Sequence, residues 1–527
     1  MKLFKKSAVM AILLVACWGM SVSGQSVEKA DSSFFRSKTV IVKLKPENPV
    51  LKTQPSIDHK DFRMVLTSIE AETIEPLFKE FTVASLRKKG LPEHSLSRVY
   101  LVRYSSDESV IDACKRFSKS EIVEYAEPYY YFSVSYVPND PFIGKGLAID
   151  TLQYYLDRVK AFDAWDITKG DPDIVIGIVD DGNQLHEDLT GNLKYNDKDP
   201  IDGIDNDNDG YIDNYNGWDV ADKDADPFGN SHGVAVTGTC CSKPDNTKGI
   251  AGTGFNTSYL PIKAAADMIN GMPNYSNLIT NGYEGLLYAA EHGCQVINLS
   301  WGSTGRSQLL EELVNYVVLV KDVVVVAAAG NEGNEESFYP AAYENVLAVA
   351  ACSTFFSTEY NDWVETRAGF SSYGSFVDIC APGWLICTTG GQSNYYYTNG
   401  TSFSSPIVAG AAALVRAKFP ELSALQVMER LRVTADVIDT FSFNKQYQGK
   451  LGRGRLNMYK ALLNAALPSV RLKNEVVQPI GERDFSSGGK GAVRGDLVNY
   501  LDNTQNLYVK LSTDFDGLVI DNPVYYA

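Results

Sequence analysis

Beyond its first two dozen residues the chain has no long hydrophobic run. The most apolar later stretches, 323–329 and 407–415, are far shorter than the roughly 20 residues a helix needs to cross a bilayer. No transmembrane span is therefore expected. Positive charge is also short, with 48 Lys+Arg against 65 Asp+Glu and a net charge of −17. Binding nucleic acid through bulk phosphate attraction is disfavoured by that balance, and no nucleic-acid partner is expected. Internal repeats and low-complexity tracts are absent, which argues against solenoids and biased tails. What remains is globular in composition, and 527 residues allow two to four domains of about 100–200 residues each.

The N-terminus reads as a targeting segment. Lys2, Lys5 and Lys6 precede a short apolar stretch from Ser7 to Ala16, and Val22-Ser23-Gly24 offers small residues for cleavage. Residues 1–24 are expected to be a signal peptide, giving a secreted or periplasmic protein. Leu14-Val15-Ala16-Cys17 also fits a lipobox, so a lipoprotein anchored at Cys17 is the alternative. Cys240, Cys241, Cys294, Cys352, Cys380 and Cys387 stay open as disulfide partners or as buried free thiols. Their wide spacing and the vicinal pair argue against a zinc site.

Two patterns follow. Lys38–Lys45 and Arg98–Tyr104 alternate as strands do, Asp107–Lys119 suits a helix, and Ile122–Ala126 suits a last strand. Together they suggest a small α+β unit within residues 25–134. From about 150, apolar runs at Ile174–Val179, Leu260–Lys263, Gln295–Ser300, Val323–Ala328 and Val346–Ala350 alternate with helical stretches. This predicts an α/β domain on a mostly parallel sheet over 135–468. Ser402–Lys418 reads as a long helix of small residues stopped by Pro420, and 469–527 as a short β-rich C-terminal segment.

The chemistry collects at strand ends. Ile176-Gly177-Ile178-Val179-Asp180-Asp181-Gly182 is a strand running into two acids, the end at which parallel sheets place functional groups. In Asn230-Ser231-His232-Gly233-Val234-Ala235-Val236-Thr237-Gly238, a histidine opens a run of small residues. Ala327-Ala328-Ala329-Gly330-Asn331-Glu332-Gly333 ends a buried strand in an amide donor. Asn399-Gly400-Thr401-Ser402-Phe403-Ser404-Ser405-Pro406 puts a serine at a helix start, its N–H free for an oxyanion. Each block alone has a plain reading: a turn acid, a structural histidine, a turn asparagine, an N-cap serine. The joint order is Asp180, His232, Asn331, Ser402, the order in which the subtilisin type carries its triad.

With these blocks spread over about 150–467, the chain resembles the subtilisin-like serine proteases, or subtilases. The resemblance implies a parallel-sheet, three-layer α/β catalytic domain. It implies that Asp180 orients His232, that His232 is general base and then acid, and that Ser402 is the nucleophile. Asn331 would complete the oxyanion hole. Ser300-Trp301-Gly302 and Ala328-Ala329-Gly330 match the segments that line the first specificity pocket and pair with extended substrate. Trp301 and the small residues suggest an apolar or aromatic preference there, with Glu332 at the rim disfavouring acidic side chains. The segment 25–134, through Val123-Glu124-Tyr125-Ala126-Glu127-Pro128, resembles the family's inhibitory propeptide, a small ferredoxin-like unit acting as intramolecular inhibitor. The expected function is an exported serine endopeptidase with protein or peptide substrates, made as a self-processing zymogen and working as a monomer through an acyl-enzyme. A narrow-specificity processing protease and an inactive binding module on the same fold are the alternatives. Asp181 stands where Thr or Ser is usual, and the spacing to Gly182 is the reason to place the triad acid at Asp180. Phe403 replaces a frequent Met.

Between Asp180 and His232 lies an acidic insert; seventeen of the 65 acids fall in 171–230, a density that suggests cation binding. Asp205, Asp207 and Asp209 occupy positions 1, 3 and 5 of a calcium loop, with Gly210 at 6, the carbonyl of Tyr211 at 7 and Asp213 at 9. Position 12 is Asn216, so this is no complete EF-hand. Structural calcium held by Asp205, Asp207, Asp209, Tyr211 and Asp213 is the expectation.

Overall fold

The computed structural model describes residues 35–46, 58–81, 85, 86, 89, 94–131, 136–144, 152–274, 278–465, 467–479, 491–502, 508–510 and 524–526. The expected signal peptide and Cys17 lie outside them. The chain divides into two compact units near residue 134.

In the smaller unit, strands β1 (Phe35–Leu44), β2 (Ala71–Pro76), β3 (Val99–Tyr104) and β4 (Val123–Tyr130) form one antiparallel sheet in the order β2-β3-β1-β4. Val40, Val42 and Leu44 alternate with less buried neighbours, the two-residue period of a strand with one covered face. Helices Lys60–Ser68 and Val110–Ser118 contribute Phe62 and Phe117 to the same core, their ring centroids 5.2 Å apart. Ser109 caps the second helix by accepting from Asp112 N at 3.1 Å.

The larger unit is built on a sheet whose path runs β13-β12-β11-β10-β5-β7-β6, with β14 beside β12. Its strands are β5 (Val175–Asp180), β6 (Trp218–Asp219), β7 (Ser258–Lys263), β10 (Val296–Leu299), β11 (Val324–Ala328), β12 (Leu347–Ser357), β13 (Asp362–Arg367) and β14 (Ile379–Pro382). A small hairpin, β8 (Met268–Ile269) with β9 (Met272–Pro273), intervenes. All neighbours are parallel except β12 and β13. β5 and β11 are buried at every position, as expected of parallel strands covered on both faces. β5 lies where strand order turns, with β10 on one side and β7 on the other. Open α/β sheets place their sites in the crevice at the carboxyl end of such a point. That end is Asp180.

The helix Thr401–Lys418 is buried along nearly all its length because Ala, Gly and Ser keep it thin. It packs on β10, β11, β12 and β14 and on the helix Ser231–Cys241. It ends before Pro420, as the sequence predicts. Further on, β15 (Val470–Pro479) and β16 (Gly491–Asn499) form a hairpin. Arg471 pairs with Asp378 at 2.7 Å and Glu429 at 2.8 Å, so this hairpin is tied to the helix Ala424–Val433. The seven described cysteines are all buried free thiols, including the vicinal Cys240 and Cys241, and the disulfide alternative is not realised among them. No described helix is long and apolar enough to cross a membrane.

Candidate active site

β5 delivers Asp180 to the crevice with its side chain 3% exposed. Its Oδ1 accepts from His232 Nδ1 at 2.7 Å and from the N–H of Asp181 at 2.8 Å. Asp181 points elsewhere: its Oδ1 accepts from Gly233 N at 2.8 Å, capping the helix that begins with Ser231. Successive side chains along an extended segment diverge, so only one of two adjacent acids can face the imidazole, and it is Asp180. Gly233 is required where it stands, because a Cβ there would fall 2.0 Å from the carbonyl oxygen of Gly182. That close approach seats the histidine helix against the acid loop. Burial acts against the imidazolium, but Asp180 and then Asp181 outweigh it, and His232 is pushed up to about 9. Asp181 itself is pushed up to about 7 by burial and then by the adjacent Asp180.

Ser402 is the second residue of its helix and is mostly buried. Its neighbour Phe403 lies with its ring centroid 5.8 Å from that of His232, which sets the imidazole beside the serine turn. Ser402 Oγ donates to the Ser300 carbonyl at 3.2 Å. Pro406 has no N–H to give the Ser402 carbonyl four residues back, and the hydroxyl of Ser300 supplies that bond instead at 2.8 Å. The helix start is thereby pinned to the end of β10.

Asn331 follows β11. Its Oδ1 accepts from Thr401 N at 2.9 Å and Thr401 Oγ1 at 3.0 Å. A backbone N–H can only donate, so the amide orientation is fixed and its NH2 is the end left for a ligand. Of the flanking segments, Ala328 and Ala329 are buried and Gly330 adopts φ +101°. Trp301 turns from the crevice: its indole N–H donates to Val179 O at 2.8 Å, and its ring covers Gly282. The ring itself is only partly buried.

A carboxylate-bonded imidazole beside a serine hydroxyl, with two N–H donors nearby, can generate a nucleophile and hold the negative charge that attack creates. The family model described as "Subtilase family" matches residues 171–459. The chain is 31% identical over 423 residues to the "Thermophilic serine proteinase" of Bacillus sp. (strain AK1), covering 79% of this chain and 92% of that protein. It is 36% identical over 329 residues to "Thermitase" of Thermoactinomyces vulgaris, covering 62% and 99%. It is 39% identical over 222 residues to "Subtilisin DY" of Bacillus licheniformis, covering 41% and 75%. The chain belongs to the subtilase family. This subtilase is a serine endopeptidase on an α/β fold with a mixed, mostly parallel sheet.

The acidic insert of the subtilase is arranged differently from the loop spacing. Oxygens of Asp199, Asp205 and Asp207 lie within 4.8 Å of one another. Asp209 instead bonds His292 Nε2 at 3.1 Å and Asn214 Nδ2 at 3.0 Å. Asp213 accepts from Asp202 N at 2.9 Å and Gly203 N at 2.8 Å, and the ring of Tyr211 packs among Trp218, Tyr288 and His292. Asp199 stands six residues ahead of the motif, and no local spacing could have pointed to it.

Proposed function

We propose that Asp180, His232 and Ser402 are the catalytic triad of an exported, self-maturing endopeptidase, with Asn331 in the oxyanion hole. The observation that carries this is the 2.7 Å bond between His232 Nδ1 and Asp180 Oδ1 beside the Ser402 turn. In this reading Nδ1 donates to the carboxylate, which leaves Nε2 as the acceptor for the serine proton. Ser402 Oγ turns from the Ser300 carbonyl to the imidazole and attacks the scissile carbonyl carbon. The oxyanion takes hydrogen bonds from the Ser402 N–H and the Asn331 NH2. Collapse breaks the C–N bond, the imidazolium proton leaves with the amine, and an acyl-enzyme remains. Water repeats the sequence and frees the acid. A proton on Asp181 removes one of the charges that raise His232, so the imidazole is free to act as base at lower pH.

The reading extends to the whole precursor. Residues 1–24 direct export, 25–134 fold as an inhibitory propeptide, 135–468 form the peptidase domain, and 469–527 are a short β-rich C-terminal segment. Calcium steadies the insert. Oxygen donors suit this ion, Asp207 Oδ1 is buried without a hydrogen-bond partner, and no ion pair of Asp199, Asp205 or Asp207 occurs among the described residues. Asp199, Asp205 and Asp207 would hold it, and the ion would supply neutralisation of their charge.

A fluorophosphonate probe tests the chemistry. It should label the wild-type protein and fail with Ser402→Ala, which should also accumulate at precursor length when purified alone. Labelling that survives Ser402→Ala would remove Ser402 from the mechanism, and normal maturation of that variant would remove self-processing.

A further inference from the structure

We infer that Phe338 closes the first specificity pocket, so that this enzyme selects small, uncharged residues immediately before the scissile bond. The inference rests on the endopeptidase reading above and names its substrate class. The oxyanion donors, Ser402 N–H and the Asn331 amide, fix where the scissile carbonyl lies. The side chain of the residue bearing that carbonyl (P1) must then leave beside the segments that follow β10 and β11. These strands are hydrogen-bonded neighbours, with Leu299 opposite Ala327, so Ser300–Gly302 and Ala328–Gly330 run on from adjacent ends.

Both segments finish in glycine, and one phenyl ring stands against both. A Cβ on Gly302 would fall 2.5 Å from Phe338 Cε1 and 2.8 Å from Cδ1. A Cβ on Gly330 would fall 3.1 Å from Phe338 Cγ. The ring edge therefore faces Gly302 and its root faces Gly330. Its backbone is held there, since Ser303 N donates to Tyr339 O at 2.8 Å and Tyr339 N to Ser303 O at 2.7 Å. The space over Gly330 also carries Glu332, whose Oε2 would lie 2.7 Å from a Cβ on that glycine and accepts from Ser372 Oγ at 3.2 Å. The pocket we infer admits a methyl or hydroxymethyl group. A larger P1 side chain meets the ring and must displace it, a form of overpacking. An acidic one meets the Glu332 carboxylate. The aromatic preference suggested by the residue types at 300–302 is replaced by a preference for Ala, Ser and Gly.

The test uses matured enzyme and tetrapeptide chromogenic amides that differ only at P1 (Ala, Leu, Phe, Glu). Wild type should favour Ala over Phe by at least about tenfold in kcat/KM, the scale on which apolar pockets discriminate. Phe338→Ala should raise kcat/KM for P1 Phe at least about tenfold and leave P1 Ala within a few-fold. Glu332→Gln should raise P1 Glu while leaving P1 Phe low. Should Phe338→Ala not take the fluorophosphonate label, Phe338→Leu carries the same test with a smaller rise. A wild-type preference for Phe, or a Phe/Ala ratio indifferent to residue 338 in labelled variants, overturns the inference and leaves the endopeptidase reading intact. Failure of the wild type to label removes both.

Discussion

Of the places where the peptidase domain buries carboxylates, two treat them in opposite ways. Around Glu429 the neighbours are Arg432, Arg471 and the hydroxyl of Ser469. Burial alone would raise this acid, but the two guanidinium groups hold it down to about 2. At the end of β5, Asp180 and Asp181 are adjacent, and Asp180 Oδ2 and Asp181 Oδ2 are both buried with no hydrogen-bond partner. There burial and like charge push Asp181 up. The clamp at Glu429 uses opposite charge to fasten the C-terminal hairpin. The crevice crowds like charge, which moves proton affinities toward the range in which acid–base chemistry is done.

The largest break in that contrast should come from Glu429→Ala. It leaves Arg432 without its carboxylate and Arg471 with Asp378 alone, and loss of one partner from a buried pair costs up to about 3–5 kcal/mol. Thermal melts in a Ser402→Ala background, which avoids autolysis, should show a clear fall in Tm. Labelling of the otherwise wild-type variant should be normal while it remains folded; an unchanged Tm would show that the clamp does not hold the hairpin.

Asn331→Leu should act mainly on the chemistry, lowering kcat by ~10²–10³ with KM little changed, because the donor bonds best to the transition state; a smaller loss of stability should accompany it, since Thr401 N and Oγ1 lose their acceptor. An equal rise in KM would instead assign Asn331 to ground-state binding.

Calcium comes next. At about a hundred times its dissociation constant a ligand adds about 2.7 kcal/mol, so Tm should rise with free calcium and Asp207→Ala should blunt the rise. Coincident melts in chelator and calcium would leave the Asp199, Asp205 and Asp207 cluster without an ion.

The smallest effect is the sharpest comparison, because the two acids should respond to pH with opposite signs. The folded pKa of Glu429 is depressed, so its stabilisation is full above the ordinary carboxylate range of about 4 and is lost as pH falls through about 2. That of Asp181 is raised, so folding is favoured at acid pH and the advantage is lost as pH rises from about 4 through about 7. Asp181→Asn should therefore gain on its parent between pH 5 and pH 8, and Glu429→Gln should approach its parent near pH 2. Urea melts across pH would show this, and parallel curves for Asp181→Asn would remove its titration from the fold.

The parallel strands were readable from residue order, because a strand buried on both faces must be a continuous apolar run: β5 and β11 fall within a residue of the runs at 174–179 and 323–328. β12 runs seven residues beyond its expected end, since Cys352–Ser357 pair with β13, a partner no local pattern announces.

Sequence by itself determined the family, because Asp, His, Asn and Ser in that order at glycine-marked strand and helix ends meet a chemical demand that few substitutions satisfy. The spacing to Gly182 already pointed to Asp180, but only the tertiary structure shows what the second acid does: side-chain direction at the strand end sends Asp180 to His232 and Asp181 to Gly233 N. It brought Asp199 to Asp205 and Asp207 and sent Asp209 to His292, because an aperiodic loop has no spacing rule. It tied the Trp301 indole to Val179 O and set Phe338 against Gly302 and Gly330. Contacts between residues tens of positions apart are decided by how the chain packs, and local composition carries no record of them.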